Sequence, residues 1–409
     1  MAWSSIIFRK IRTKERTLEK KPKKLFLVLS FGWILCFSGC QLTIENPSTH
    51  TPASETIQIS EQPTRVVTET SSAVNISVQG TIVYTDRHAI YALDFQEGNV
   101  ERLVTYTDGV FMNVQAVGDY IYYFKSVSDD DPLAGGIGIN DVFRVHRLDS
   151  SDLSRLTTDY WSDFDLTVTS NGRYLAYISD WGPDMEENRY KVVVLDITTG
   201  ESEFIVESNT PVYKTLWSPD GEKLLYFERS GSHQFGYYGN LYIINVDDRT
   251  IIPILPESVI PVTNLAWSID SNSIALGIMI DQQYDIYLVD IDNGNTRKLA
   301  VTEWMPLNFL WSPNGNNLLF EMEMDHARIQ LCLLDINTGD IVTIAEEDEV
   351  YPHIGFNALW SPNGEWLAYF VNPEGESFQV KVYSLGTGEE LVYPITGIDI
   401  ESASWVHSP

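Results

Sequence analysis

One five-residue pattern recurs four times in the second half of the sequence: Trp217-Ser-Pro-Asp-Gly221, Trp267-Ser-Ile-Asp-Ser271, Trp311-Ser-Pro-Asn-Gly315 and Trp360-Ser-Pro-Asn-Gly364. Each copy is followed by an alternating apolar strand. The copies start 50, 44 and 49 residues apart, a period long enough for one four-stranded sheet and too short for an independent domain. The chain is therefore a repeat protein.

Gly172, Gly221, Gly315 and Gly364 share one register, Ser271 takes the same place, and Gly118 extends the series backwards. A strand follows each: Leu175-Ala-Tyr-Ile178, Leu224-Leu-Tyr-Phe227, Ile274-Ala-Leu-Gly277, Leu318-Leu-Phe-Glu321 and Leu367-Ala-Tyr-Phe370. A second hairpin completes every unit, as in Asp285 to Ile291, the turn Asp292-Asn-Gly294, and Thr296 to Ala300. Each unit thus supplies four short antiparallel strands. In the recurring turn, Ser opens the bend, Pro presets φ, Asp or Asn accepts local hydrogen bonds, and Gly takes a conformation closed to β-carbons. The preceding Trp is placed to fill the gap between neighbouring sheets, a packing role.

Counting hairpins predicts an all-β fold, a β-propeller of seven four-stranded antiparallel blades over residues 76–409, with six as the competing count because the first unit is irregular. That unit, Thr81 to Tyr84, Ala89 to Leu93 and Arg102 to Val104, lacks a leading strand, while Ser402-Ala-Ser-Trp405 at the other end opens a unit that has no continuation. The expectation is that the C-terminal strand pairs with the N-terminal blade and closes the ring.

Ahead of the repeats, a cationic stretch ending in Lys20-Lys21-Pro22-Lys23-Lys24 meets an apolar run over residues 25–37, too short to cross a bilayer comfortably. The run ends in Phe37-Ser38-Gly39-Cys40. This resembles the lipobox of bacterial lipoproteins, with Phe37 in place of the usual Leu, and the resemblance implies a signal peptide over 1–39 and lipidation of Cys40. An uncleaved signal anchor is the alternative. Residues 40–75, rich in Ser, Thr, Pro, Glu and Gln, read as a disordered tether that spans a few tens of ångströms, roughly 5–6 Å times the square root of its length.

Charge narrows the partners. Residues 1–39 hold nine Lys and Arg against two Asp and Glu, so the remainder has 18 basic and 55 acidic side chains, a net −37. Such a surface repels nucleic acid and anionic lipid and permits cations and basic protein patches. Acidity that serves solubility alone is the plainer reading. With Cys36 and Cys40 in the leader, Cys332 is the sole thiol of the folded part, no internal disulfide is available, and its apolar strand marks it as a small buried residue.

The Trp-Ser-Pro-Asp/Asn-Gly copies and their strands resemble the WD40-like (PD40) repeats of TolB-type propellers, strongly over about 160–371. The resemblance implies a binding platform. It implies no peptidase activity, although related propellers cap prolyl oligopeptidase-type enzymes, because no hydrolase domain follows. Nor does an α/β domain precede the propeller, so TolB's envelope partners are not carried over.

No Gly-x-Ser-x-Gly elbow, His-Glu-x-x-His, phosphate loop or Cys-x-x-Cys occurs. Propeller topology brings the second-to-third strand connections and the blade-to-blade connections onto one face, and three successive connections there, 128–140, 179–189 and 229–240, are long. Their candidate ligand or partner residues are Asp129 and Asp131, Trp181, and Tyr237 and Tyr238; the blade-to-blade segments add Trp161 with Asp163, Trp304, and Tyr351 with His353. Aromatics beside acids suit a basic peptide, a sugar or a cation. Packing of the rings and solvation of the acids is the plainer alternative for each residue. The 129–131 run lacks the alternating carboxylates of a Ca²⁺ loop, so no cofactor is expected and Ca²⁺ stays a weak option. These features point to a non-enzymatic, monomeric, membrane-tethered protein- or peptide-binding platform outside the cytoplasm. The alternatives are a small-molecule, glycan or cation receptor, and a hydrolase or lyase with its site at the channel mouth.

Overall fold

The structure is a computed structural model, and it describes residues 78–406 apart from 87–88, 106–110, 128–138, 148, 159–161, 181–189, 234–235, 255–261, 281–282, 325–327, 349–357, 373–377, 396–399 and 401. The described residues contain no helix and form seven blades of four antiparallel strands arranged in a ring. The innermost strands are Ser402–Val406 in blade one, then Phe111–Val117, Ser162–Val168, Val212–Trp217, Val262–Trp267, Met305–Trp311 and Leu359–Trp360 in blades two to seven. Neighbouring innermost strands touch around the ring. Seven blades, not six, and closure by the C-terminal strand are both as the repeat count predicts. Ser402–Val406 pairs with Thr81–Thr85 from Thr81 opposite Val406 to Thr85 opposite Ser402.

The core is not one mass. Seven apolar clusters lie one at each seam between adjacent blades, including the seam where Ile82, Tyr84 and Leu93 of blade one meet Ala368, Phe370 and Val382 of blade seven. Middle strands face a seam on both sides, which is why they read as continuous apolar runs instead of alternating ones. All six residues of Trp366–Val371 are buried. A strand buried on both faces stabilises nothing until both neighbouring blades are in place, so the ring is the unit of stability.

The turn pattern has the predicted geometry and one feature more. Gly172, Gly221, Gly315 and Gly364 sit at φ of 68°, 75°, 72° and 72°. The Ser is more than a turn opener. Ser218, Ser312 and Ser361 are buried to within 2 %, and in the blade-six copy the Ser312 hydroxyl accepts Asn317 N (2.9 Å) while facing Asn314 Oδ1 (2.8 Å) and the Asn317 carbonyl (3.1 Å). It ties both ends of the turn together. The Trp indoles pack into the seams and donate to the preceding blade: Trp267 Nε1 to the Leu216 carbonyl (3.1 Å), Trp311 Nε1 to that of Ala266 (3.4 Å) and Trp360 Nε1 to that of Leu310 (3.3 Å).

One long connection differs from the loop expected at 229–240. The second and third strands of blade four, Lys223–His233 and Gly236–Asn245, stay paired from Lys223 opposite Asn245 out to His233 opposite Gly236, with a bulge after Arg229. Tyr237 also bridges to Val262 of blade five, which merges the two blades into one sheet. The segment is a β-arm because its β-branch-poor, Tyr- and Gly-rich sequence still satisfies a hairpin ladder; the bulge takes up the odd residue. Gly239 is required at its base, where a Cβ would fall 2.0 Å from the Glu228 carbonyl oxygen.

Candidate functional site

The innermost strands of six blades line an axial cavity of about 590 Å³. In blades two to six these strands are bulged against their second strands at one height, between Met112 and Gln115, Phe164 and Thr167, Val212 and Lys214, Val262 and Asn264, and Leu307 and Leu310. A polar side chain accompanies each bulge: Asn113, Asp165, Lys214, Asn264 and Asn308. Asn113, Asp165 and Asn308 hold φ of 58°, 56° and 52°, a left-handed conformation that costs a non-glycine residue on the order of 1 kcal/mol and is tolerated best by Asn and Asp.

The bulge turns a backbone N–H sideways, and the preceding blade takes it. Ser402 Oγ accepts Val114 N (2.8 Å), Asp165 accepts Thr215 N, and Asn264 Oδ1 accepts Phe309 N (3.2 Å). Gln115 bridges in the other sense, donating from Nε2 to the Leu166 carbonyl (2.9 Å) and accepting Val168 N on Oε1 (3.0 Å). The belt therefore staples blade to blade and leaves part of its polarity toward the channel. Lys214 Nζ lies 3.2 Å from Asp165 Oδ1, while Asn308 Nδ2 donates to Glu321 Oε2 (3.0 Å). Glu321 is only 2 % exposed; its register position is held by Phe227, Phe370 and Ile178 in other blades. Below the belt the wall is apolar, with Leu216, Leu310, Leu359 and Ile269.

The PD40 family, described as the TolB beta propeller domain, matches residues 171–406. The chain belongs to the TolB-type β-propeller family. Among solved structures, TolB from Acinetobacter baumannii is 15 % identical over 80 % of this chain and 81 % of that one, with a TM-score of 0.49. An oligogalacturonate lyase in complex with manganese is 15 % identical, covering 73 % of this chain and 82 % of that one (TM-score 0.58). A prolyl endopeptidase is 12 % identical over 81 % of this chain and 51 % of its own (TM-score 0.57). At these identities the likeness to this TolB-type propeller is one of fold. Among the described residues, no group of three or more His, Cys, Asp and Glu converges to hold a metal ion, and no helix is long and apolar enough to cross a membrane.

Of the residues that the sequence of this TolB-type propeller singles out, Cys40, Asp129, Asp131, Trp161, Trp181, Tyr351 and His353 lie outside the described residues. Tyr237 is placed by its backbone, in the β-arm. Tyr238 is half-buried in the same arm and faces Gly231 across it. Trp304 is half-buried on the blade-five to blade-six connection, where its carbonyl accepts the Thr302 hydroxyl (2.9 Å). Asp163 is fully buried. It accepts the Thr157 hydroxyl (3.0 Å), which also lies 3.4 Å from Asp141 Oδ1, and Arg155 pairs with Asp141. This polar knot ties the end of blade two to the start of the innermost strand of blade three. Cys332 is buried, and burial pushes its thiol up to about 11.

The channel belt escaped the sequence reading, yet it left a trace there. Asn264, Asn308 and Asn357 each stand three residues before a motif Trp, Lys214 holds the same place in blade four, and Glu321 interrupts an otherwise apolar second strand. Recurrence of a polar residue on a strand that should alternate inward was the available signal.

Proposed function

We propose that this TolB-type propeller is a non-enzymatic binding platform, held outside the cytoplasm by a lipid on Cys40, that takes a protein or peptide partner on the face bearing the long second-to-third strand connections. The observation that carries the reading is the blade-four β-arm. A hairpin ladder prolonged beyond the blade and bridged to blade five is a preorganised presenting element, and preorganisation lowers the ordering cost of binding. Its neighbours on that face include the connection bearing Trp304. Tyr and Trp on fixed backbone suit protein contact, where large rings give contact area at low entropy cost. The N-terminal cationic and apolar segments with Ser38-Gly39-Cys40 support the anchor.

Two experiments test it. In-cell crosslinking compares the intact chain with a variant whose residues 230–238 are replaced by an Asn-Gly turn, which joins Arg229 to its native partner Gly239 and closes the same ladder. The expected result is a partner recovered by the intact chain and lost from the variant; equal recovery from both, or none from either, overturns the platform reading. Cys40→Ser should release the protein from the membrane fraction, and continued sedimentation with membranes would overturn the lipid anchor.

A further inference from the structure

The seam between blades four and five is tied differently from the seams beside it. In blades three and five, the side chain seven residues before the last residue of the recurring turn accepts a backbone N–H of the next blade, two residues before its motif Trp. Asp165 does this for Thr215 N, and Asn264 for Phe309 N (3.2 Å). Ser402 and Gln115 accept across the first two seams in the same sense (2.8 and 3.0 Å). Blade four has Lys214 at the equivalent place. An ammonium group donates and never accepts, so Lys214 has no lone pair for Leu265 N, the equivalent donor of blade five. It turns back to blade three, 3.2 Å from Asp165 Oδ1. Leu265 N is taken within its own blade by Asn264 Oδ1 (2.9 Å), which also serves Phe309. Among the described residues, no belt bond crosses from blade four to blade five.

The same seam is crossed where the others are not. Tyr237 of the β-arm pairs through its backbone with Val262, the first residue of the innermost strand of blade five. Among the described strands, no other two blades share a sheet. This pairing is a single rung. At the far end of the strand the seam is held by Trp267 Nε1 on the Leu216 carbonyl (3.1 Å) and by Asp220 N on Ser271 Oγ (3.0 Å). Rung and Trp267 bond are about 16 Å apart at roughly 3.3 Å per strand residue. Between them Leu225, Phe227 and Leu241 of blade four meet Leu276 and Ile278 of blade five, a contact without directional bonds that tolerates a small shift.

We propose that the rung between Tyr237 and Val262 is a releasable latch: formed, it closes the seam between blades four and five at the arm; released, it lets the innermost strand of blade five move away from blade four about the Trp267 and Ser271 bonds. Lys214 and Asn264 stand on either side of this seam, and both line the axial cavity. A ligand of the arm that favours the released rung thereby acts on the cavity wall. The latch belongs to the ring itself and does not depend on the platform reading.

The test is amide hydrogen exchange of the full chain, read by mass spectrometry on peptides covering 262–267, with peptides covering 305–311 as internal reference. Tyr237→Cys combined with Val262→Cys places thiols on facing residues of an antiparallel pair, whose Cα separation of about 4.5–5.5 Å lies within disulfide reach. The oxidised, latched chain should exchange residues 262–265 about five- to tenfold more slowly than the same chain reduced, the effect expected of one backbone hydrogen bond, with the reference unchanged. Lys214→Asn in the otherwise native chain supplies the missing acceptor and should slow the same amides by a similar factor. The arm-shortened chain, with residues 230–238 replaced by Asn-Gly, should speed them by as much, and serves if the cysteine pair does not fold. Equal exchange in the oxidised and reduced chains, a change spread evenly over both sets of peptides, or unslowed 262–265 amides in a folded Lys214→Asn chain overturns the latch. Equal partner capture by the intact and arm-shortened chains, alongside the exchange difference, would sink the platform reading and leave the latch standing.

Discussion

At the scale of single residues, the repeat separates backbone demands from side-chain demands. A Cβ on Gly315 would meet nothing within 4 Å, so Gly315→Ala introduces conformational strain alone. A loss of about 1 kcal/mol in unfolding free energy is expected by urea titration. Ser271 already bears that strain at φ 60°, but its hydroxyl accepts Asp220 N of the previous blade (3.0 Å). Cys332 is a second residue whose environment dictates its chemistry. A fully buried thiol with its pKa pushed up to about 11 holds almost no thiolate at neutral pH. Iodoacetamide should leave the native protein unmodified at this position and label it only on unfolding, as peptide mass mapping would show.

Among the elements, the innermost strands bear two duties, packing at the seams and stapling across them. Trp267 illustrates both, being 6 % exposed in the blade-four to blade-five seam while donating to the Leu216 carbonyl. Trp267→Phe keeps most of the apolar contact and removes the donor, leaving the carbonyl short of a partner. A destabilisation of roughly 1–3 kcal/mol should appear in thermal or urea unfolding. Trp217, whose Nε1 has no partner among the described residues, should lose less on the same change. The pair of variants thus separates the hydrogen bond from the ring's bulk.

Across the whole molecule, closure decides stability. Removing residues 402–409 takes away the innermost strand of blade one, including Trp405, whose Nε1 donates to the Gln79 carbonyl (3.2 Å), and exposes seams on both sides. The truncated chain should lose its single cooperative melting transition, because each blade depends on both neighbours. Acid acts on the ring through its turns. Asp335 is held below the ordinary value of 3.8 by the backbone N–H groups of Thr338 and Asn337, and Asp248 by that of Thr250. Asp270 is lowered by the Ser268 hydroxyl, against burial that would raise it. A carboxyl whose folded pKa is lowered binds fewer protons folded than unfolded in this window. Its stabilisation is therefore complete above the ordinary carboxylate value and is lost as pH falls through it toward the lowered one. Urea midpoints should hold steady from neutral pH down to that value and then decline; a midpoint indifferent to acid would contradict the turn assignment.

Blade number, the turn pattern and the closing strand were legible because they are periodic and local. Trp, Ser, Pro, Asp or Asn, and Gly recur at fixed offsets, each is required by the conformation of its own turn, and the unpaired strand at 402–405 has one place to go. The β-arm and the channel belt were not legible in the same way. Whether residues 229–240 continue a ladder depends on the bulge after Arg229 and on Tyr237 meeting Val262, a pairing across blades. The burial of Asp163 likewise depends on Thr157 and Asp141 converging from a different blade. The sequence by itself determined the architecture, since short-range conformational preference repeated seven times leaves a closed ring as the arrangement that buries every middle strand on both faces. Only the tertiary structure decided which polar side chains face the axis and which way their amides point. Those choices are made by hydrogen bonds between residues forty-odd positions apart, such as Asn264 with Phe309, and a one-dimensional pattern does not hold them.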